Sequence, residues 1–580
     1  MKQTRKKKDK GAVLGIIAVI VSVMLLASMP MATAKLYGDA NGDDVIDTDD
    51  MTYVEQIIAG EKTKTELADA NQDGVIDLLD VTYIEGIILG DNPFPGGTLI
   101  AGLGRDPGKQ YGYGAHPSLT GVYEQLVWID YELEPQPMLA TSWKVSDDGK
   151  VWTFYLREGV TFHDGTPFNA ETAKQNFERL DAEEPGQLGP LESIDIVDGY
   201  TIQFTHSEPF APFVRQLSWP FMSMISPDAV DGDRNVLEPI GTGPYKVVEY
   251  SPDDKLVLER NEDWWGGMPN LEGMTLRCIP DANSRAMSLE TGEIDLIIDT
   301  GGVLPEYAGT LDADPEIEVL TRLIATSHFL ILNGGKTPFN DSSARQAVQY
   351  AIDQETIVDT ILEGYGLPGK GAITPALAEW ANTEIEAKYD PNEAEQLLSD
   401  SGWVDTDGDG ILDKDGQRFE VRLLLHSGMV GRWPYEAIAE VIQSELNDVS
   451  IKADIQVLAG GAWSTALKDG EYEMAMTPYT LLGPHFMLYD WFNSEGDMNL
   501  MRGMCYNNSR VDELTELGKV TMDQDERYEI YVEVQEIVAE EAPMFPIYYE
   551  EMINAQRNNV RGFEPHPWFW INWEDVYSTT

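Results

Sequence analysis

The sequence has little cysteine and few basic residues for its length. Its 580 residues include two cysteines, which are too few for a disulfide framework, and a chain of this size does not need one. Whether Cys278 and Cys505 pair is left open by the sequence. Lysine and arginine number 40 against 100 aspartates and glutamates, so the formal net charge is −60. Because such a chain repels phosphates, we exclude nucleic acid as a partner.

Recognisable catalytic motifs are also missing. The sequence contains no HExxH metalloprotease motif, no GxSxG nucleophile turn, no Walker loop and no dinucleotide-binding glycine pattern. Its seven histidines are scattered along the chain. Acidic residues are so abundant that a pair for glycoside hydrolysis could be drawn anywhere, and such a pair carries no information. We therefore expect that the protein is not an enzyme.

The N-terminus has the composition of an export signal. Residues 1–10 are basic, residues 11–29 are apolar, and Ala32-Thr33-Ala34 follows. This order is typical of a secretory signal cleaved after Ala34. The apolar run is also about long enough to span a bilayer, so residues 1–34 are a signal peptide or an N-terminal membrane anchor. The absence of a nearby cysteine excludes a lipid anchor, and we expect the rest of the chain to be extracytoplasmic, either secreted or anchored to the outer face of the cell membrane.

Two segments repeat one unit at a spacing of 30 residues. Residues 38–60 read GDANGDDVIDTDDMTYVEQIIAG, and residues 68–90 read ADANQDGVIDLLDVTYIEGIILG. Side-chain oxygens stand at loop positions 1, 3, 5, 9 and 12, and position 7 offers a backbone carbonyl, which are the offsets of a twelve-residue Ca²⁺ loop. The predicted calcium ligands are Asp39, Asn41, Asp43, Val45, Asp47 and Asp50 in the first loop and Asp69, Asn71, Asp73, Val75, Asp77 and Asp80 in the second.

With aspartate at position 12 and one short helix after each loop, the repeat resembles the dockerin domain, a calcium-dependent module that binds cohesin domains. The resemblance covers residues 35–92 and implies two calcium ions and a cohesin partner. Asp44 stands where glycine is usual, so the first site is expected to be the weaker one. The Leu78-Leu79 pair is the expected docking surface. The alternative is a calcium-stapled spacer without a partner.

A third calcium-like loop, DTDGDGILD, occupies residues 405–413. Position 12 is Gly416, so the bidentate carboxylate is missing. The loop is either a further calcium site or a solvated Asp/Gly turn. The predicted ligands are Asp405, Asp407, Asp409, Ile411 and Asp413.

The densest pattern of the chain runs from Val122 to Glu171. Between Trp143 and Arg157, two alternating segments flank the sequence DDGK, and an Asp-Gly step of this kind predicts a β-hairpin. Asn169 is placed to cap the N-terminus of a following helix.

This stretch resembles the signature segment of the extracytoplasmic solute-binding proteins of ABC transporters, in the peptide/nickel-binding family (solute-binding protein family 5). The resemblance implies an α/β fold of two lobes with a cleft between them, preceded by the small all-α dockerin module. It is carried by Tyr123-Glu124, residues 137–140, Ser142-Trp143, residues 152–154, Leu156-Arg157, residues 160–168, residues 241–246, Trp264-Trp265, residues 292–295 and residues 389–391.

The resemblance extends over residues 97–580 and implies that they divide into two lobes. Lobe I is expected at about 97–330 plus 545–580, and lobe II at about 335–544. Such proteins trap a solute between the lobes by hinge closure and deliver it to a membrane permease.

The sequence says less about which solute is bound than about the fold. Nickel-binding members have an arginine before Pro-Phe, where this chain has Trp219, and the histidine expected some eleven residues after His485 falls near Gly496. A peptide or similar small solute is therefore expected, with a nickel or metal-chelate receptor as the first alternative. A scaffold-borne hydrolase is the second, because dockerins usually belong to polysaccharide-degrading systems. The residues that the resemblance places in the cleft are Tyr111, Tyr113, His116, Trp219, Arg432, Trp433, Tyr479 and His485.

Overall fold

A computed structural model describes residues 40–41, 48–68, 70, 76, 80–81, 83–84, 97–109, 114–568 and 570–579. The chain divides into two compact units, Met1–Phe94 and Pro95–Thr580. The signal or anchor segment, Leu78-Leu79 and most of the first two calcium loops lie outside the described residues. Within the described ranges, no helix combines the length and apolar character that crossing a bilayer requires.

The first unit packs around helix α1 (Thr48–Ile58). Asp49 and Asp50 lie in its first turn, where the helix dipole favours negative charge. Val54 and Ile57 point inwards from the helix. They share a small apolar core with Ala40, Ala68, Ala70, Val81 and Ile84. A short 3-10 helix covers Glu66–Ala68.

The strands of the second unit are as follows. Its first part contains β1 (Thr98–Leu103), β2 (Val127–Ile129), β3 (Pro135–Pro137), β4 (Ala140–Val145), β5 (Val151–Leu156), β6 (Leu191–Asp198) and β7 (Thr201–His206). Next come β8 (Tyr245–Ser251), β9 (Lys255–Arg260), β10 (Gly273–Cys278), β11 (Leu296–Ile297) and β12 (Ile317–Leu332). The remainder contains β13 (Leu367–Pro368), β14 (Asp413–Lys414), β15 (Gln417–Arg418), β16 (Glu420–His426), β17 (Lys452–Leu458), β18 (Met474–Thr480), β19 (Met544–Arg557), β20 (Val560–Arg561) and β21 (Tyr577–Ser578).

The helices of this unit cover the sheets. The first ones are α2 (Ala170–Glu183), α3 (Phe213–Gln216), α4 (Ala282–Glu290), α5 (Pro305–Asp312), α6 (Ser342–Ala351), α7 (Gln354–Thr360) and α8 (Pro391–Asp400). They are followed by α9 (Ser427–Val430), α10 (Tyr435–Asp448), α11 (Gly460–Lys468), α12 (Pro484–Phe492), α13 (Asp497–Met501), α14 (Ser509–Val520) and α15 (Gln524–Glu541). Short 3-10 helices cover Pro220–Met222, Pro227–Ala229 and Pro375–Leu377.

One mixed sheet runs through the unit in the order β17-β16-β18-β12-β19-β11-β1-β10-β9-β8, with β13 beside β19. Strands β12 and β19 pair antiparallel along most of their length, from Ile317 opposite Arg557 to Ile331 opposite Met544. At one end β19 contacts β11, and at the other β12 contacts β18. These two long strands therefore connect the two α/β lobes, and the predicted two-lobed fold is confirmed.

A second sheet, β4-β5-β7-β6, contains the predicted hairpin. Trp143 pairs with Phe154, and Gly149 takes the left-handed conformation that the turn requires, with φ 71°. Trp152, Phe154 and Leu156 are buried on one face of β5. The Asn169 side chain caps α2 by accepting hydrogen bonds from the backbone N–H groups of residues 171 and 172, as predicted.

The signature segments meet around one buried carboxylate, Glu124. It accepts hydrogen bonds from the Thr242 hydroxyl at 2.6 Å and from the indole N–H groups of Trp264 and Trp265 at 3.0 Å. Arg157 lies over the ring of Trp265, 3.9 Å from its centroid. Burial raises the pKa of Glu124 to about 7. The signature segments therefore come together around a buried polar cluster in the interior of this unit.

Both cysteines are free thiols. Cys278 is half-buried at the end of β10, and Cys505 is exposed. The pairing that the sequence left open is therefore not formed.

Candidate functional site

A cavity of about 480 Å³ lies between residues 186–221 and residues 479–519, and we refer to it as the aromatic cavity. Its volume falls in the range of small-molecule sites. The first stretch lines the cavity with the segment before β6 and the segments around α3, and the second with β18 and helices α12 to α14. Aromatic side chains dominate its wall, namely Phe210, Trp219, Phe221, Tyr479, Phe486 and Tyr489.

Trp219 contacts two other aromatic rings of this wall. Pro220 begins the 3-10 helix that follows it and fixes the turn of the chain. The indole stacks on Phe221, with ring centroids 5.5 Å apart, and meets Phe486 edge-on at 5.7 Å. Its Nε1 is buried and has no hydrogen-bond partner among the described residues. The wall therefore offers a rigid apolar surface together with one unused N–H donor.

His485 and Tyr489 lie one helical turn apart on α12, so their rings face the same side, with centroids 5.0 Å apart. Pro484 occupies the first position of this helix. Burial, with the nearby charge of Lys519, lowers the pKa of His485 to about 3, so the imidazole is neutral at physiological pH. Its Nδ1 is buried without a hydrogen-bond partner among the described residues. Tyr479, at the end of β18, donates to the Phe486 carbonyl at 3.1 Å.

Asp490 also lines the aromatic cavity, beside the exposed Asp497 at the start of α13. Burial, reinforced by the charge of Asp497, raises the pKa of Asp490 to about 8. Sequence reasoning missed this residue because one aspartate among 100 acidic residues has no distinguishing local pattern.

The structure places Arg432 in a second group of residues. Its guanidinium donates to the Thr300 carbonyl at 2.7 Å and lies 3.4 Å from the Asp299 carboxylate. Arg105 contacts the same carboxylate at 2.6 Å. Burial alone would raise the pKa of Asp299, but the two guanidinium groups outweigh it and lower the pKa to about 2. Since Arg432 precedes α10 and Asp299 follows β11, this ion cluster joins segments that are far apart in the sequence.

Trp433 and His116 surround this ion cluster. Trp433 donates from Nε1 to Glu550 at 3.1 Å, and His328 Nε2 contacts the other oxygen of Glu550 at 3.0 Å. His116 is fully buried, and burial together with the charge of Arg105 lowers its pKa well below the usual value. Tyr111 and Tyr113 lie outside the described residues. Of the residues predicted for the cleft, Trp219, Tyr479 and His485 thus share one cavity, whereas His116, Arg432 and Trp433 lie around the ion cluster.

The 405–413 loop has the geometry of a cation site. Oxygens of Asp405, Asp407 and Asp413 lie within 4.8 Å of one another, which fits ligands around one calcium ion. The Asp405 carboxylate also accepts the backbone N–H groups of Gly408 and Gly410, at 2.7 and 3.0 Å. Asp409, predicted as a ligand, forms an ion pair with Arg418.

In the first unit, the position-12 aspartates of both loops are described. Asp50 is buried and accepts the backbone N–H of Asn41 at 3.0 Å. Asp80 is buried and accepts that of Ala70 at 2.6 Å. Each carboxylate is therefore held near the start of its own repeat, in a position that is compatible with a Ca²⁺ ligand. The predicted ligands Asp39, Asp43, Val45, Asp47, Asp69, Asn71, Asp73, Val75 and Asp77 lie outside the described residues.

Two family models match the chain. Residues 134–499 match the middle region of the bacterial extracellular solute-binding proteins, family 5. Residues 37–89 match the dockerin type I domain.

Individual relatives agree with these matches. The glutathione-binding protein GsiB of Escherichia coli O1:K1 is 27% identical over 477 residues, which cover 78% of this chain and 88% of that protein. The periplasmic binding protein DppA of Helicobacter pylori, solved with the peptide STSA, is 28% identical with a TM-score of 0.71, covering 85% of this chain and all of that one. The oligopeptide-binding protein AppA of Bacillus subtilis, solved with a nonapeptide, is 25% identical with a TM-score of 0.72, covering 83% and 99%.

Proposed function

The chain belongs to the bacterial extracellular solute-binding proteins of family 5, and from this premise we propose that it is the solute receptor of an ABC importer. It binds a peptide or a similar small solute and delivers it to a membrane permease. The observation that carries the proposal is the aromatic cavity of about 480 Å³, which brings Trp219, Tyr479 and His485 together. Relatives described as binding glutathione or peptides support the same solute class.

Binding is coupled to movement of the lobes, with lobe I at about 97–330 plus 545–580 and lobe II at about 335–544. In this scheme Trp219 belongs to lobe I and Tyr479 to lobe II, so closure brings both faces onto the solute. The contacts of Arg432 with Thr300 and Asp299 support this scheme, because they join the lobes away from the aromatic cavity.

The dockerin module attaches the receptor to a cohesin domain through its calcium-bound fold. Asp50 and Asp80 close its two loops, and the residues 405–413 hold a further calcium ion through Asp405, Asp407 and Asp413. The N-terminal segment is either removed after Ala34, which leaves a secreted receptor, or retained as a membrane anchor. No catalytic step belongs to this function.

Calorimetric titration of the purified, ligand-free chain with tripeptides tests the receptor function. We expect binding, and we expect Trp219→Ala and Tyr479→Ala each to weaken it by about 30-fold, because truncating a buried aromatic contact costs about 2 kcal/mol. Tyr389→Ala, at an exposed tyrosine outside the aromatic cavity, is the matched control and leaves the affinity unchanged.

Three outcomes would contradict the proposal. Binding of Ni²⁺ with histidine in place of peptides would favour a metal-chelate receptor. Peptide or polysaccharide hydrolysis that persists through purification would favour a scaffold-borne enzyme. Peptide binding that is unaffected by both cavity substitutions would place the site elsewhere.

A further inference from the structure

A second cavity, of about 210 Å³, lies beside the aromatic cavity, and we refer to it as the arginine cavity because Arg215 and Arg527 line it. His485 and Phe486 belong to the walls of both cavities. The rest of the wall comes mainly from β3, β4, β5 and α3 and from α12 and α15. In the proposed division of the chain, the first group of elements belongs to lobe I and the second to lobe II. The arginine cavity therefore adjoins both lobes.

Of the two guanidinium groups in this cavity, only one has a carboxylate partner. Arg215 pairs with Glu134 and also donates to the Leu482 carbonyl at 3.3 Å. Arg527 donates to the Thr521 carbonyl at 2.9 Å, and it forms no ion pair with the residues that the structure describes. Burial, and then the charge of Arg215, lower the pKa of Arg527, which shows that the two guanidinium groups repel each other. Arg527 therefore brings an uncompensated positive charge to the arginine cavity.

The guanidinium of Arg527 is held in place by the ring of Trp380, 5.2 Å from its centroid. Stacking of this kind leaves the N–H groups at the edge of the guanidinium plane available for hydrogen bonds. Tyr531 lies one turn further along α15 and meets the same indole, with ring centroids 6.2 Å apart. The positive charge is therefore fixed in position before any ligand arrives.

Three other donors of the wall lack acceptors. The indole N–H groups of Trp152 and Trp380 and the hydroxyl of Tyr531 are buried, and none has a hydrogen-bond partner within the described ranges. These side chains are 6%, 2% and 0% exposed. Because buried polar atoms are nearly always satisfied, the wall has an excess of donors that an acceptor in the cavity would relieve.

We propose that the arginine cavity binds a small monovalent anion, such as nitrate, a halide or a short carboxylate, which lies between Arg215 and Arg527 and holds the two lobes together. One negative charge balances the guanidinium that has no carboxylate partner. Such an anion lies outside the aromatic cavity, so it is an effector and not the transported solute. The site stands on its own contacts, whereas its effect on the solute rests on the proposed receptor function.

Anion binding and solute binding are coupled through closure of the lobes. Both ligands stabilise the closed arrangement, so each raises the affinity for the other by the same factor. Couplings between sites are typically about 5–150-fold, and we therefore expect saturating nitrate to strengthen tripeptide binding by at least about fivefold. A carboxylate of the solute that entered the arginine cavity would instead compete with nitrate.

Replacing sodium lactobionate by sodium nitrate at constant sodium concentration tests the site on the full chain. Lactobionate carries the same charge but is too large for the cavity, so the ionic strength stays constant while the small anion varies. Nitrate should raise the melting temperature of the unmodified chain in a saturable manner. Arg527→Gln should weaken the apparent nitrate affinity by at least about tenfold, because it removes the only uncompensated charge of the site. Arg234→Gln, at an exposed arginine outside the cavity, is the control and should retain the effect.

A direct measurement covers the case in which Arg527→Gln fails to fold. Crystals of the unmodified chain soaked in sodium bromide should show an anomalous scattering peak between the two guanidinium groups. Absence of that peak, or equal melting temperatures in nitrate and lactobionate, overturns the anion site. A nitrate effect of unchanged size in folded Arg527→Gln does the same.

Titration with the tripeptide Ala-Phe-Ala in each salt separates this inference from the receptor function. Tighter peptide binding in nitrate that is lost in Arg527→Gln supports the proposal. Peptide binding that nitrate weakens by competition overturns the effector role and leaves the receptor function standing. Absence of peptide binding together with Arg527-dependent stabilisation by nitrate overturns the peptide assignment and leaves the anion site standing.

Discussion

At the scale of single residues, Glu124 connects parts of the chain that are far apart in sequence. Thr242, Trp264 and Trp265 all donate to its two oxygens, and each of these donors is directed into the protein. A buried carboxylate is unfavourable by itself, which is why the pKa of Glu124 rises to about 7. Once the core has closed around it, however, removing it would leave several donors unpaired, and each buried unpaired donor costs about 1–3 kcal/mol.

We therefore expect Glu124→Ala to lower the free energy of unfolding by about 3 kcal/mol at pH 7. Urea denaturation followed by tryptophan fluorescence measures the change. Glu124→Gln should lose less, because the amide oxygen still accepts some of these bonds. Glu395→Ala, at an exposed position of α8, is the control and should differ from the unmodified chain by less than about 0.5 kcal/mol. Equal stability of Glu124→Ala and Glu395→Ala would contradict the structural role of the carboxylate.

The sequence predicted some residues of the aromatic cavity and missed others for a physical reason. Trp219, Tyr479 and His485 stood out because they belong to segments with a family resemblance, and the cavity contains all three. Asp490 differs from other acidic residues only through its burial and its proximity to Asp497, and both are products of the tertiary fold. For the same reason, the sequence could not foresee that Arg432 would contact Asp299, which lies far from it in the chain.

At the scale of elements, locally encoded structure was predictable and long-range pairing was not. The hairpin of β4 and β5 follows from one Asp-Gly turn and the alternation around it, and the cap of α2 follows from Asn169. By contrast, β12 and β19 pair across more than two hundred residues, with register shifts after Leu323 and His328. Their alignment depends on the packing of both lobes, so the family resemblance predicted two lobes but not the pairing of these strands.

The 405–413 loop yields a prediction at this scale. We expect Asp405→Ala to bind one calcium ion fewer per chain than the unmodified protein, because Asp405 both offers a ligand oxygen and holds the backbone N–H groups of Gly408 and Gly410. Calcium titration of the full chain by calorimetry gives the stoichiometry. Asp469→Asn, at the exposed end of α11, is the control. An unchanged stoichiometry in Asp405→Ala would show that the loop is a solvated turn, whatever the dockerin loops bind.

At the scale of the whole molecule, two sets of buried groups respond to pH in opposite directions. Burial raises the pKa of Glu124 and Glu445 to about 7 and that of Asp490 and Glu574 to about 8. The folded state therefore binds more protons than the unfolded state up to about pH 8, and these groups make the protein less stable as pH rises. Burial lowers the pKa of the histidines, namely His116, His163, His206, His328, His426, His485 and His566. Because unfolded histidine takes up its proton near pH 6.5, these residues make the protein less stable as pH falls below that value.

The opposing contributions of the acids and the histidines predict that the free energy of unfolding is largest close to pH 6.5. Burial also raises the pKa of Glu134 and Asp575, which brings these acids to six. Below pH 6.5 the seven histidines still outnumber them, so the histidine contribution prevails and the melting temperature should fall towards pH 5. Above it the histidines no longer contribute, whereas the acids ionise at increasing cost, so the melting temperature should fall again towards pH 8.5. A decrease on the order of 5 °C on each side is expected for a chain of this size. The net charge of −60 adds repulsion that salt screens, so added NaCl should raise the melting temperature at pH 8.5. Scanning calorimetry from pH 5 to 8.5 measures these melting temperatures. A melting temperature that rises steadily over this range would contradict the prediction, because it would mean that the carboxyl groups are not desolvated enough to raise their pKa values.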